Sequence, residues 1–81
     1  MSVELTLLSR SYCHLCHDME VALAPILDTL GATVRVLDVD EHPPLLEKYD
    51  ELVPVLLLGD QEICHYFLDH ARVREVLGQI R

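Results

Sequence analysis

Apolar positions along the chain recur with two periods, and the switches between them mark out the elements. Val3 to Leu8 is a β-branched and leucine-rich run of strand length, and it ends at the small, polar Ser9-Arg10-Ser11. From Cys13 to Leu30 the spacing becomes helical, through Leu15, Met19, Ala22, Leu23, Ile26, Leu27 and Leu30, and Gly31 supplies the stop. Pro25 lies inside that helix, where it removes one backbone hydrogen bond and crowds the carbonyl one turn back. A kink near Val21 or a break is expected.

Thr33 to Asp40 places Val34, Val36 and Val39 among polar residues in a strand pattern. Its connection from the first strand is long enough for a right-handed βαβ crossover, so these two strands are expected to be parallel. His42-Pro43-Pro44 opens a short helix over about 44–51, with proline tolerated in the first turn because its missing N–H would be unpaired there anyway. Val53 to Leu58 reads as a buried strand, Gly59-Asp60 as a turn, and Gln61 to Phe67 as a stretch containing a second strand, which together make a hairpin. Asp69 can cap a last helix whose inner face is Val73, Val76, Leu77 and Ile80. The predicted order is βαβαββα, an α/β class, with residues 1–81 forming one domain.

Composition narrows the partners. The 81 residues suffice for one domain with a small core. With 6 Lys+Arg against 14 Asp+Glu the formal charge is −8, so the phosphate neutralisation that drives nucleic-acid binding is missing. No basic run invites an anionic membrane surface, and no apolar stretch approaches a membrane span; the longest, Leu52 to Leu58, is interrupted by Pro54. Proteins or small molecules are the expected partners. Three cysteines, Cys13, Cys16 and Cys64, are an odd number at uneven spacing, unlike a secreted disulfide framework. Met1 to Leu8 also lacks the basic segment and unbroken apolar stretch of a secretory leader, and the expectation is a cytoplasmic protein.

The chemistry concentrates in Cys13-His14-Leu15-Cys16, a C-x-x-C at the junction of the first strand and first helix. A thiolate at a helix start faces unpaired N–H groups and the positive end of the macrodipole, which favours ionisation below the ordinary value of about 8.5. Cys13 is then the nucleophile, and one helical turn brings Cys16 close enough to attack the mixed disulfide formed on it. His14, His17 and Arg10 add donors and potential positive charge, a local basic spot in an acidic chain. Val53-Pro54 is the second element: a proline that cannot donate to a ladder belongs at a strand start or edge, with either peptide isomer.

A short βαβαββα chain with C-x-x-C opening its first helix and Val-Pro opening its third strand resembles the glutaredoxin branch of the thioredoxin superfamily, especially the small bacterial glutaredoxin-like proteins. The resemblance spans Val3 to Ile80. It implies a thioredoxin-like fold, a four-stranded mixed sheet in the order 2-1-3-4 flanked by three helices, with the first and last helices on one face. It implies that Cys13 attacks and Cys16 resolves, that Pro54 is cis and faces the cysteines, and that the Val53 backbone pairs with the substrate. Arg10 stands where the family commonly contacts a glutathione carboxylate. Tyr12, His14 and Leu15, in and beside the motif, complete the candidate substrate contacts. The implied activity is thiol–disulfide exchange on protein disulfides or glutathionylated substrates by a monomer. No cofactor is tightly bound, glutathione is a candidate co-substrate, and glutathione or a thioredoxin-type reductase is the electron donor. Two departures stand out: His14-Leu15 replaces the usual Pro-Tyr, and Cys64-His65-Tyr66-Phe67 replaces the Gly-Gly that cradles glutathione.

Blander and rival readings accompany this one. Cys64 is expected to be a small buried hydrophobe, with modulation of the active site as the sharper alternative. His17, His42, His65 and His70 are expected at the surface or in structural roles, and Asp38, Asp40 and Glu41 as a solvated strand edge. A metal module could draw Cys13, Cys16 and His17 together with Cys64 or His65 around zinc, or paired chains could share an iron–sulfur cluster. A third reading is a non-catalytic interaction domain with vestigial cysteines.

Overall fold

A computed structural model describes residues 3–78. Strand β1 (Val3–Ser9) leads to helix α1 (His14–Leu30), strand β2 (Ala32–Asp38), a 3-10 turn (Val39–Glu41), helix α2 (Pro43–Tyr49), strands β3 (Val55–Leu58) and β4 (Gln61–His65), and helix α3 (His70–Gly78). The four strands form one mixed sheet in the order β2-β1-β3-β4. β1 and β2 are parallel, from Val3 opposite Ala32 to Ser9 opposite Asp38. β3 runs antiparallel to β1, with Leu7 opposite Leu56 and Leu8 opposite Val55. This is the expected thioredoxin-like arrangement.

Alternation along β1 explains the layers. Leu5 and Leu7 point to the face covered by α1 and α3, where they pack with Met19, Leu23, Ile26 and Leu27, with Leu56 and Ile63, and with Val73, Val76 and Leu77. Leu8 points the other way, into a smaller core with Val39, Tyr49, Val55 and Leu57, flanked by Leu45 and Leu46 of α2. Each fully buried leucine contributes about 1.5–3 kcal/mol, and a domain of this size depends on all of them. The Ile80 expected on the inner face of α3 lies outside the described residues.

Several boundaries differ from expectation, each for a local reason. α1 runs unbroken through Pro25; Val21, whose carbonyl would have met that N–H, is solvent-exposed, so water can serve it. Gly31 ends the helix in the left-handed region at φ 68°, its N–H donating to the Leu27 carbonyl. β2 stops at Asp38 rather than Asp40, because the Asp38 carboxylate accepts the Asp40 N–H at 2.9 Å and starts the 3-10 turn that buries Val39. α2 begins at Pro43 and ends at Tyr49, slightly earlier than expected. β3 begins only after Pro54, and β4 closes at His65. The register between β3 and β4 shifts at Leu56/Leu57, so that Leu56 faces Cys64 while Leu57 faces Glu62. This bulge lets the consecutive Ile63 and Cys64 both pack toward the α1/α3 core. Asp69 caps α3 as expected, accepting the Arg72 N–H at 3.0 Å.

Candidate active site

Parallel and antiparallel pairing together bring six element ends to one end of the sheet. β1 and β2 finish there, β3 begins there, and β4 finishes there, while the start of α1 and the end of α2 join them. The Arg10–Cys13 loop and Val53-Pro54 therefore leave the sheet at the same end, as do Asp40, Asp50 and Tyr66.

The loop into α1 is tightly folded. The Cys13 N–H donates to the Arg10 carbonyl at 3.3 Å, and Tyr12 between them takes a left-handed φ of 64° with its side chain fully in solvent. Cys13 emerges as the N-cap of α1, and its Sγ accepts the Cys16 N–H at 3.2 Å. Cys13 and Cys16 are joined as a disulfide, with their Cα atoms 5.2 Å apart. The two sulfurs are not equivalent: Cys13 is half-buried, whereas Cys16 is 2% exposed. A surface depression at Cys13 is lined by Ser9, Arg10, Tyr12, His14, His17 and Glu20. Leu15 instead lies half-buried on a second groove, with Met19 and Ala22 facing Tyr66, Phe67 and Leu68.

The Val53–Pro54 bond is cis. Pro54 is buried and its carbonyl accepts the Tyr66 N–H at 2.9 Å. Tyr66, also left-handed at φ 64°, sends its hydroxyl to the Glu51 carbonyl at 2.7 Å and so ties the end of β4 to the approach to Pro54. Among the described residues, the Val53 N–H and carbonyl make no backbone hydrogen bond.

Electrostatics correct the expected basic spot. Arg10 Nη1 donates to Asp50 at 2.7 Å, while Nε and Nη2 both donate to Asp40, at 3.3 and 3.0 Å. The Asp40 hydrogen bonds and charge, aided by Asp50, push the guanidinium above its already high ordinary range. His14 Nε2 lies 3.3 Å from Asp18, and Ser11 donates to Asp38 at 3.4 Å. Asp38 and Asp40 are therefore not a merely solvated edge; they hold the loop before Cys13. No local signal foretold this network, because Arg10, Asp40 and Asp50 meet only once the topology has gathered their segments. The two left-handed tyrosines were equally invisible, since tyrosine carries no preference for that conformation.

Cys64 sits on β4 opposite Leu56, in a depression shared with Glu62, His65, Phe67, Asp69 and His70 and with no residue of the Cys13 depression. Burial pushes its thiol up, partly offset by a hydrogen bond from the Asp69 backbone. Among the described residues, no three His, Cys, Asp or Glu side chains are grouped so as to hold a metal ion. Nor is any helix among them long and apolar enough to cross a membrane.

Residues 4–78 match the family described as the glutaredoxin-like domain, DUF836. The chain belongs to this family. A glutaredoxin-like assignment and a Cys13–Cys16 pair at bonding distance fit a redox role. The glutaredoxin-like chain is also similar to the solution NMR structure of protein Ne2328 from Nitrosomonas europaea, at 32% identity and a TM-score of 0.76, covering 96% of this chain and 89% of that one. A structure described as a malarial protein shares the fold at a TM-score of 0.65 and 14% identity, over 98% of this chain and 97% of that one. No curated protein matches the glutaredoxin-like chain.

Proposed function

We propose that this glutaredoxin-like protein is a thiol–disulfide oxidoreductase in which Cys13 attacks and Cys16 resolves. The observation that carries this reading is the asymmetry of the pair: one sulfur at the surface on a helix N-terminus, the other buried one turn behind it. In the reduced protein the Cys13 thiolate attacks one sulfur of a substrate disulfide, forming a mixed disulfide and expelling the other sulfur as thiolate. Cys16 loses its proton and attacks the Cys13 sulfur, which forms the Cys13–Cys16 disulfide and expels the second substrate thiolate. Two electrons pass to the substrate, whose two thiolates take up two protons. Backbone N–H groups at the start of α1 favour the attacking thiolate.

Val53 offers its unpaired backbone groups to an extended substrate segment, and Tyr12 and His14 flank the reacting sulfur, while Leu15 lines the neighbouring groove. Glutathione or a thioredoxin-type reductase returns the two electrons, in a reducing compartment such as the cytoplasm. Disulfide reduction in a protein substrate such as insulin, with Cys13→Ser and Cys16→Ser variants, tests the assignment. Cys13→Ser is expected to abolish turnover, and Cys16→Ser to accumulate the mixed disulfide by mass spectrometry. Full activity in Cys13→Ser would refute it.

A further inference from the structure

Among the described residues, Arg10 is the only Lys or Arg lining the depression at Cys13. A guanidinium offers five N–H donors in a planar fork suited to carboxylates, which would make it a natural receptor for an anionic substrate. Here that fork is already taken. Asp40 engages it through both carboxylate oxygens and Asp50 through a third donor group. One positive charge held by two negative charges leaves the cluster net negative, and Glu20 of α1 adds a further carboxylate to the same depression.

We propose that the Asp40–Arg10–Asp50 clamp determines specificity: it withdraws Arg10 from substrate binding, so Cys13 prefers neutral and cationic disulfides over anionic ones such as glutathione disulfide. This rests on the proposed Cys13–Cys16 chemistry and names its substrate class. An incoming carboxylate would have to displace one of two aspartates already bonded to the guanidinium and approach a net negative cluster. A cysteine segment with basic or uncharged neighbours meets no such barrier. The overall charge of −8 works in the same direction at longer range.

The test uses full-length protein reduced beforehand and freed of reductant. It is mixed separately with cystamine (cationic), bis(2-hydroxyethyl) disulfide (neutral) and glutathione disulfide (anionic). In each case the protein dithiol becomes the Cys13–Cys16 disulfide and the reagent becomes two thiols, a two-electron exchange with no other reactant. Rates are divided by those of free dithiothreitol with the same reagent, to remove intrinsic reactivity. At low ionic strength the normalised rate is expected to fall from cationic to neutral to anionic, with about a tenfold spread between the extremes that shrinks in high salt.

Asp40→Asn/Asp50→Asn is expected to release Arg10 and raise the glutathione disulfide rate relative to cystamine several-fold. Asp50→Asn alone, a mild change at an exposed helix end, is expected to shift the ratio in the same direction and keeps the test decisive if the double variant fails to fold. Equal normalised rates for the three reagents in the parent would overturn the clamp's role. So would a charge preference unmoved in Asp50→Asn and in the folded double variant. If the dithiol reacts with none of the three, it is the oxidoreductase reading itself that fails.

Discussion

The Cys13 sulfur accepts the amide hydrogen of Cys16 at 3.2 Å, so one member of the disulfide is also the N-cap of the helix that carries the other. Redox change and helix stability are thereby linked through one atom. In the reduced protein, Cys13→Ser keeps an oxygen acceptor at the cap, whereas Cys13→Ala removes it. Urea unfolding under reducing conditions is expected to place Cys13→Ala about 1 kcal/mol below Cys13→Ser. Equal stabilities for the two variants would show that the cap contributes nothing.

Exposure orders the reactivity of the three cysteines. Iodoacetamide applied to reduced protein is expected to label Cys13 before Cys16, which is only 2% exposed. Cys64 is expected to react more slowly than a free thiol at neutral pH, because burial raises its pKa. Peptide mapping of a labelling time course would read all three, and early labelling of Cys16 would contradict the buried placement.

The raised Cys64 pKa also sets a direction for stability. The folded state holds that proton more tightly than the unfolded state, so the contribution is fully present below the unfolded value of about 8.5. It is lost as pH rises through the higher folded value. Thermal unfolding of the oxidised protein is expected to show a steeper loss of stability above about pH 8.5 than a Cys64→Ala variant does. Parallel pH profiles for the two proteins would remove Cys64 from the linkage.

Tyr12 combines a left-handed backbone at φ 64° with a side chain fully in solvent. Glycine adopts that conformation without steric cost, and the strain relieved, about 1–2 kcal/mol, offsets the extra unfolded-state entropy. Tyr12→Gly is expected to be neutral or up to about 1 kcal/mol stabilising, while turnover on a protein substrate falls because a candidate contact is gone. A clear loss of stability would mean that the tyrosine ring packs in solution.

The sheet centre has no such tolerance. Leu7 and Leu56 face each other across β1 and β3 with no exposure, between α1 and α3. Leu7→Ala is expected to cost about 2–5 kcal/mol by denaturant unfolding, a large share of the whole for a domain this small. A loss below about 1 kcal/mol would show that the core can collapse around the gap.

Much of this was legible in the residues because it follows from short-range periodicity. Met19, Leu23, Ile26 and Leu27 announce α1 and its buried face, and Asp69 announces the start of α3. The C-x-x-C placed the chemistry for the same reason: four consecutive residues at a helix start carry their own geometry. Effects needing two distant segments were not legible. Asp38 looks like the middle of a strand until its side chain turns back on the Asp40 N–H, and Arg10 looks like a free cation until Asp40 and Asp50 arrive from the other side of the sheet. The bulge at Leu56/Leu57 belongs to this second class, because only the paired strands define it.

The gathering of loops at one end of the sheet keeps the C-x-x-C away from the other end. The start of β1, the Gly31 turn and the Gly59-Asp60 turn all lie there, a sheet's length from Cys13. A tether or fluorophore attached at the exposed Asp60 would hold the protein by the end opposite the disulfide and leave the Cys13 side facing outward. The architecture thus has a built-in handle for oriented immobilisation, with the Cys13–Cys16 end facing the solution.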